Sequence, residues 1–208
     1  MMLKVKALLI IFSSLSAGVI MRSQLKIGGK EEIEVWYLEG DNIRYDSGER
    51  SSLIYTGCDQ KVRGVDWLKR EYFQTDLEGL EALIGEREPM RGELKTLEKS
   101  SIFNLPAIYH VLLKDNDTIG RIWIIDQKSF PLPQKLVKRF IKIRDLFLRY
   151  FRRPVVVPGI VGRMILYDPP YFQEVIDIKE TRIRPETFLI PEGFQLSPAI
   201  RPQYQSGD

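Results

Sequence analysis

The chain has 208 residues, enough for one domain with a substantial buried core. Its composition is that of a folded protein, 44% hydrophobic and 28% charged, and its 11% aromatic content favours strands. The formal charge is +3; without Lys4 and Lys6 of the N-terminal segment, 29 basic groups face 28 acids, so a nucleic-acid-binding reading loses its basis. Cys58 is the one cysteine and His110 the one histidine, which excludes an internal disulfide and any His/Cys zinc set.

Residues 1–6, MMLKVK, are basic, residues 7–20 are apolar or small, and Ser14, Ser16, Ala17 and Gly18 supply small residues. This is the layout of a secretory signal. The expected division is an export signal over 1–17 and a single domain over 18–208, with periplasmic or otherwise exported residence. Leu15 fits the usual cleavage pattern poorly, so an uncleaved anchor or a buried helix stays open. The apolar run is short of the about 20 residues that a spanning helix needs.

Strand patterns begin at once. VIMRSQLKI (19–27) alternates in part, and Gly28-Gly29 turns the chain. In 31–39, Ile33, Val35 and Tyr37 face one way, and Glu32, Glu34 and Trp36 the other. Strands at 42–47, 51–57, 61–66 and 70–75 complete an antiparallel meander. Thr75 three residues before Glu78 has the form of a capping box, and Leu77, Leu80, Leu83 and Ile84 predict a short helix over about 76–86. Strands are expected again at 94–99, 107–113 and 118–126, the last two joined by a Lys-Asp-Asn-Asp turn.

Residues 134–153 give the strongest helix pattern. Leu136, Phe140, Ile143, Phe147 and Phe151 form an apolar stripe, with Pro133 before it and Pro154 after it. The segment carries eight basic groups against one acid, Asp145, a local charge of +7. Such a face can meet an anionic membrane, through Lys138, Lys142 and Arg149, or simply be solvated while the stripe packs on a sheet. Further strands are expected at 162–168 and 174–183, an extended piece at 186–196, and a disordered tail over 198–208.

Little here points to chemistry. His110 lies between Ile108 and Leu112 in an alternating strand and reads as structural; Cys58 follows Gly57 in a turn and reads as an unreactive thiol. Gly28-Gly29 lacks a phosphate-loop frame, and Asp115-Asn116-Asp117 lacks the other ligands of a calcium loop. No catalytic residue, metal or cofactor is expected. The strand aromatics, among them Trp36, Tyr45 and Trp123, read as core or as the lining of an apolar cavity.

Three segments together resemble the outer-membrane lipoprotein carrier superfamily (LolA/LolB-like): EIEVWYLEGDNIRYDS (32–47), SSLIYTGCDQKVRGVDWLKREYFQ (51–74) and RIRPETFLIPEGFQL (182–196). The likeness covers about residues 18–197 and belongs to the poorly characterised exported branch. It implies a mostly β, α+β fold, an unclosed antiparallel half-barrel of about 9–11 strands covered by one or more helices. In that family the hollow accepts acyl chains. By position, Arg44 matches the family's arginine in the third strand, and Phe188, Pro191 and Gly193 match the closing signature. Gly57-Cys58-Asp59-Gln60 departs from the family's turn, and the basic helix has no matched counterpart.

The resulting expectation is a monomeric, non-enzymatic envelope protein. It would bind acyl chains or a lipoprotein ligand through Leu136, Phe140, Ile143, Phe147, Trp36, Tyr45 and Trp123. The alternative is a structural or protein-interaction module with a fully packed interior.

Overall fold

The computed structural model describes residues 17–85, 92–154 and 157–198. The export signal expected over 1–17 and the disordered tail expected over 198–208 fall almost wholly outside them.

Twelve strands form one sheet: β1 (Gly18–Ile27), β2 (Lys30–Glu39), β3 (Asn42–Ser47), β4 (Ser51–Thr56), β5 (Lys61–Asp66), β6 (Glu71–Thr75), β7 (Glu93–Ile102), β8 (Leu105–Lys114), β9 (Asp117–Ile125), β10 (Ile160–Tyr167), β11 (Pro170–Thr181) and β12 (Gln195–Leu196). Helix α1 (Leu77–Ile84) follows β6, and α2 (Gln134–Tyr150) links β9 to β10. The order across the sheet is β12-β6-β5-β4-β3-β2-β1-β11-β10-β9-β8-β7. Two antiparallel meanders, β1–β6 and β7–β11, are therefore joined where β1 pairs with β11. The sheet is not closed, and the fold is a mostly β, open α+β half-barrel. The expected 9–11 strands become twelve because β12, two residues pairing in parallel with β6, is too short to show any alternation.

The apolar face of each strand decides what covers it. On β1–β6, Val19, Met21, Trp36, Leu38, Ile43, Tyr45, Leu53, Tyr55, Val62 and Phe73 form one buried face. The stripe of α2 and Leu80 of α1 pack against it. Gly64 lets the ring of Phe73 lie across β5; a Cβ there would sit 1.9 Å from that ring. On the opposite face, Ile54 and Val65 pack with Ile183 and Phe188 of the C-terminal segment. A 3₁₀ turn, Pro185–Phe188, brings that segment back over the sheet.

Two helix boundaries differ from expectation. The N-cap of α1 is Asp76, not Thr75: its side chain accepts from Gly79 N–H at 2.8 Å, and an aspartate at this position caps as well as a threonine. Helix α2 stops at Tyr150, three residues early. Arg152 takes the left-handed conformation (φ +54°), and Arg153 N–H donates back to Leu148 C=O at 2.9 Å. This is a Schellman-type ending with arginine in the glycine position, and Arg153 follows directly from it.

Candidate functional site

The site is the space between α2 and the concave face of the sheet. Phe140, Ile143 and Phe147 project from α2 and are at most 1% exposed. Trp36 and Tyr45 meet them from β2 and β3, stacked on each other at 4.2 Å. Trp36 takes Phe140 edge-on at 5.3 Å and lies parallel to Phe147 at 6.2 Å, while Tyr45 meets Phe151 edge-on at 5.2 Å. Leu136 is partly buried one turn before Phe140. Six of the seven residues expected to line a ligand hollow thus lie on α2 or beneath it. Trp123 does not join them: it stacks on Tyr109 at 4.6 Å and lies under the Arg163 guanidinium at 5.4 Å, away from α2.

Phe140, Ile143 and Phe147 of α2 pack closely on Trp36 and Tyr45. Between the C-terminal half of α2 and the sheet a cavity of about 20 Å³ remains, lined in part by Met21, Trp36, Arg153, Met164 and Tyr171. That volume suits one water and is far too small for an acyl chain.

A polar cluster locks the C-terminal end of α2 down. Glu34 is completely buried on the same face as Trp36. Arg153 Nε donates to Glu34 Oε1 at 2.8 Å, and Tyr45 O–H donates to the same oxygen. Arg153 Nη2 also reaches Ser47 Oγ at 3.0 Å. Among the described residues, Glu34 Oε2 and Ser23 Oγ are buried without hydrogen-bond partners, and Ser23 stands opposite Glu34 in the β1–β2 register. Burial opposes the Arg153 charge, but Tyr45 and Glu34 more than offset it and hold its pKa well above the ordinary value. Burial pushes the Tyr45 phenol well above its ordinary range, as it does Tyr171 nearby. Perturbed groups gathered in one enclosed place mark a candidate functional site.

The basic face of α2 is less free than its sequence implies. Arg144 is buried; it bonds Asp145 and donates to Val157 C=O at 2.7 Å and to Gly159 C=O, fixing the chain that leads into β10. Arg139 pairs with Asp41, and Arg149 lies 3.6 Å from Glu81 of α1. Lys138 and Lys142 are exposed. Lys142 borders an open groove of about 550 Å³ that also holds Asp59, Lys61, Asp76 and Glu78, so its surroundings carry both signs of charge.

Arg44 works on the other face. Its Nε bonds Asp46 at 2.7 Å, and its Nη1 donates to Thr187 C=O at 3.0 Å. The guanidinium lies over the rings of Tyr37 (5.5 Å) and Trp67 (5.0 Å). Phe188 is buried beside this clamp, and Gly193 takes the left-handed conformation (φ +81°), which strains any residue with a side chain. Of the other singled-out residues, His110 Nδ1 bonds Thr96 Oγ1 at 3.1 Å, with its pKa lowered by burial, and Cys58 is exposed.

Sequence reasoning missed Glu34 and Arg153. Glu34 looks like one of several solvent-facing glutamates in 31–39, yet it shares its face with Trp36 and Leu38. The available signal was the parity with Trp36, a residue seldom left in water on a covered sheet.

No family model matches the chain, and no curated protein matches it in sequence. Among solved structures, an uncharacterized conserved protein from Thermus thermophilus overlays it with a TM-score of 0.52 at 11% identity, over 88% of this chain and 91% of that one. That likeness is one of fold. MucB of Pseudomonas aeruginosa, in its complex with MucA, gives 0.46 at 9% identity, over 89% of this chain and 59% of that one. A domain described as an outer membrane lipoprotein-sorting protein from Vibrio parahaemolyticus gives 0.21 at 9% identity, over 83% and 89%.

Proposed function

We propose that this is a non-enzymatic binding module of the cell envelope, built on an open half-barrel whose apolar ligand site is occupied by its own helix α2. The observation that carries this reading is the composition of the α2 contact. Its centre is an aromatic and aliphatic surface, Trp36, Phe140, Ile143 and Phe147, of the kind an acyl chain would bury. Its end is a polar latch, Arg153 on Glu34. An acyl chain or lipid-modified ligand enters by displacing α2, so the apolar surface exchanges one partner for another. The resemblance of residues 32–47, 51–74 and 182–196 to the lipoprotein carriers supports the same reading, and with it residence in the envelope. Lys138 and Lys142 would face an anionic membrane surface during delivery.

The small volume under α2 favours a second reading, in which the helix never leaves and the protein is a packed interaction module. Native mass spectrometry of protein purified from its own envelope separates the two. The first reading expects co-purified lipid, or uptake of an added long-chain fatty acid with 1:1 stoichiometry. Bare protein that takes up no fatty acid would leave the packed module.

A further inference from the structure

The two edges of the sheet are finished differently. At one end β6 is capped by β12: Gln195 N–H donates to Arg70 C=O at 2.9 Å and Ser197 N–H to Tyr72 C=O at 2.8 Å. At the other end lies β7, ten residues long and exposed over most of its length. It pairs with β8 on one side, and among the described residues no strand pairs with the other. A long uncovered edge presents a row of backbone donors and acceptors to any strand that fits it.

Its side chains say which strand fits. Glu93, Lys95, Glu98 and Lys99 sum to zero, so the net charge of this edge does not repel a second copy of itself. The register with β8 breaks between Thr96 and Glu98, leaving Leu97 as the extra residue, half exposed. Because of that bulge, Lys95 stands opposite Val111 and Glu98 opposite Tyr109. Those partners are two apart on β8, so Lys95 and Glu98 share one face of the sheet. Without the extra residue they would lie on opposite faces.

We infer that β7 joins two copies of this chain, edge to edge and antiparallel, about a two-fold axis between Thr96 and Leu97. In that register Lys95 of each copy meets Glu98 of the other on the same face, and Leu94 lies across from Lys99. Opposite charges directly across an antiparallel pair stabilise it, and like charges there destabilise it. An isologous contact of this kind closes on itself and stops at two. The proposed dimer departs from the monomer expected from sequence, on the ground that the charges of this edge are complementary to themselves. This inference is independent of any ligand under α2.

Sedimentation velocity over a concentration series tests it on the full chain. The wild type should show a reversible monomer–dimer equilibrium. Lys95→Glu and Glu98→Lys, each alone, should weaken it at least tenfold, and the double exchange K95E/E98K should restore it. Thermal melts by circular dichroism check that each variant folds. Hydrogen exchange gives a readout on the wild type alone: amides of 93–102 should exchange more slowly as concentration rises. A wild type that stays monomeric at every concentration overturns the inference. So does a dimer indifferent to the single reversals, a double exchange that fails to restore it, or β7 amide protection that does not change with concentration.

Discussion

Arg153 and Arg44 each hold a segment of chain against the sheet, on opposite faces and in different degrees of dryness. Arg153 fixes the end of α2 to Glu34 on the concave face, where the two side chains are 5% and 0% exposed. Arg44 fixes the C-terminal segment through Thr187 and pairs with Asp46, at 16% and 15%. Arg44 shares its load with two aromatic rings, and water still reaches it. Arg153 meets one fully buried carboxylate, with Ser47 Oγ at 3.0 Å and the half-exposed Glu32 at 3.7 Å beside it, and the buried carboxylate has Arg153 and Tyr45 as its hydrogen-bond partners. A dry clamp adds little over an apolar substitute while intact, because desolvation offsets its attraction, but is costly when half broken. The inner clamp therefore behaves as a latch, the outer one as a fastening.

The largest expected effect follows from breaking the inner clamp on one side. Arg153→Ala strands the Glu34 charge and should lower stability by about 3–5 kcal/mol in urea unfolding. Replacing both partners, E34Q/R153M, should recover most of that loss, since a buried pair exchanged for less polar groups is often neutral. Arg44→Ala should cost about 1.5–3 kcal/mol, the range for hydrogen bonds to a charged group, with Tyr37 and Trp67 still packed on the outer-face cluster around Ile54 and Phe188. If Arg44→Ala proves the more damaging, the ranking of the two clamps is wrong.

Alkaline pH acts more strongly on the inner clamp than on the outer one, where burial also raises Tyr37 beneath Arg44 but by less. Tyr45 and Tyr171 have phenols raised above the ordinary value near 10 by burial. Their contribution is fully present below pH 10. It is lost as pH rises from there toward the folded-state values, because the unfolded chain gives up these protons first. Each should remove about 1.4 kcal/mol per pH unit above 10. Melting temperatures at pH 9, 10 and 11 should fall most steeply in the last step, and Tyr171→Phe should reduce that slope. The smallest effect belongs to the wet pair at the start of α2. Asp41→Asn, facing Arg139, should change stability by about 0.2–1 kcal/mol.

Most of the sheet was legible because its strands alternate or are bounded by turn residues. Eleven strands lie within a few residues of their expected places. The stripe of α2 was legible for the same reason: Phe140, Ile143 and Phe147 repeat at helical spacing and have one face to bury. What was not legible depends on pairing across distance. Glu34 and Arg153 are 119 residues apart; parity with Trp36 is a local sign for Glu34, but nothing local marks Arg153 as its partner. The basic face of α2 misled for a related reason. Arg144 continues that charge run in sequence, yet it is inside, satisfied by carbonyls of residues 157 and 159. Trp123 was grouped with Trp36 on residue type alone, and residue type does not fix the face on which an aromatic lands.

The central claim is that α2 occupies a ligand site and that Arg153 on Glu34 keeps it there. Titration of a fluorescent long-chain fatty acid into the wild type and into Arg153→Ala, the variant that leaves the clamp half broken, tests it most directly, with both proteins confirmed folded by circular dichroism. Saturable binding at one site, at least tenfold tighter in the variant, is the predicted result. No saturable binding in either protein, or equal affinity in both, would contradict it.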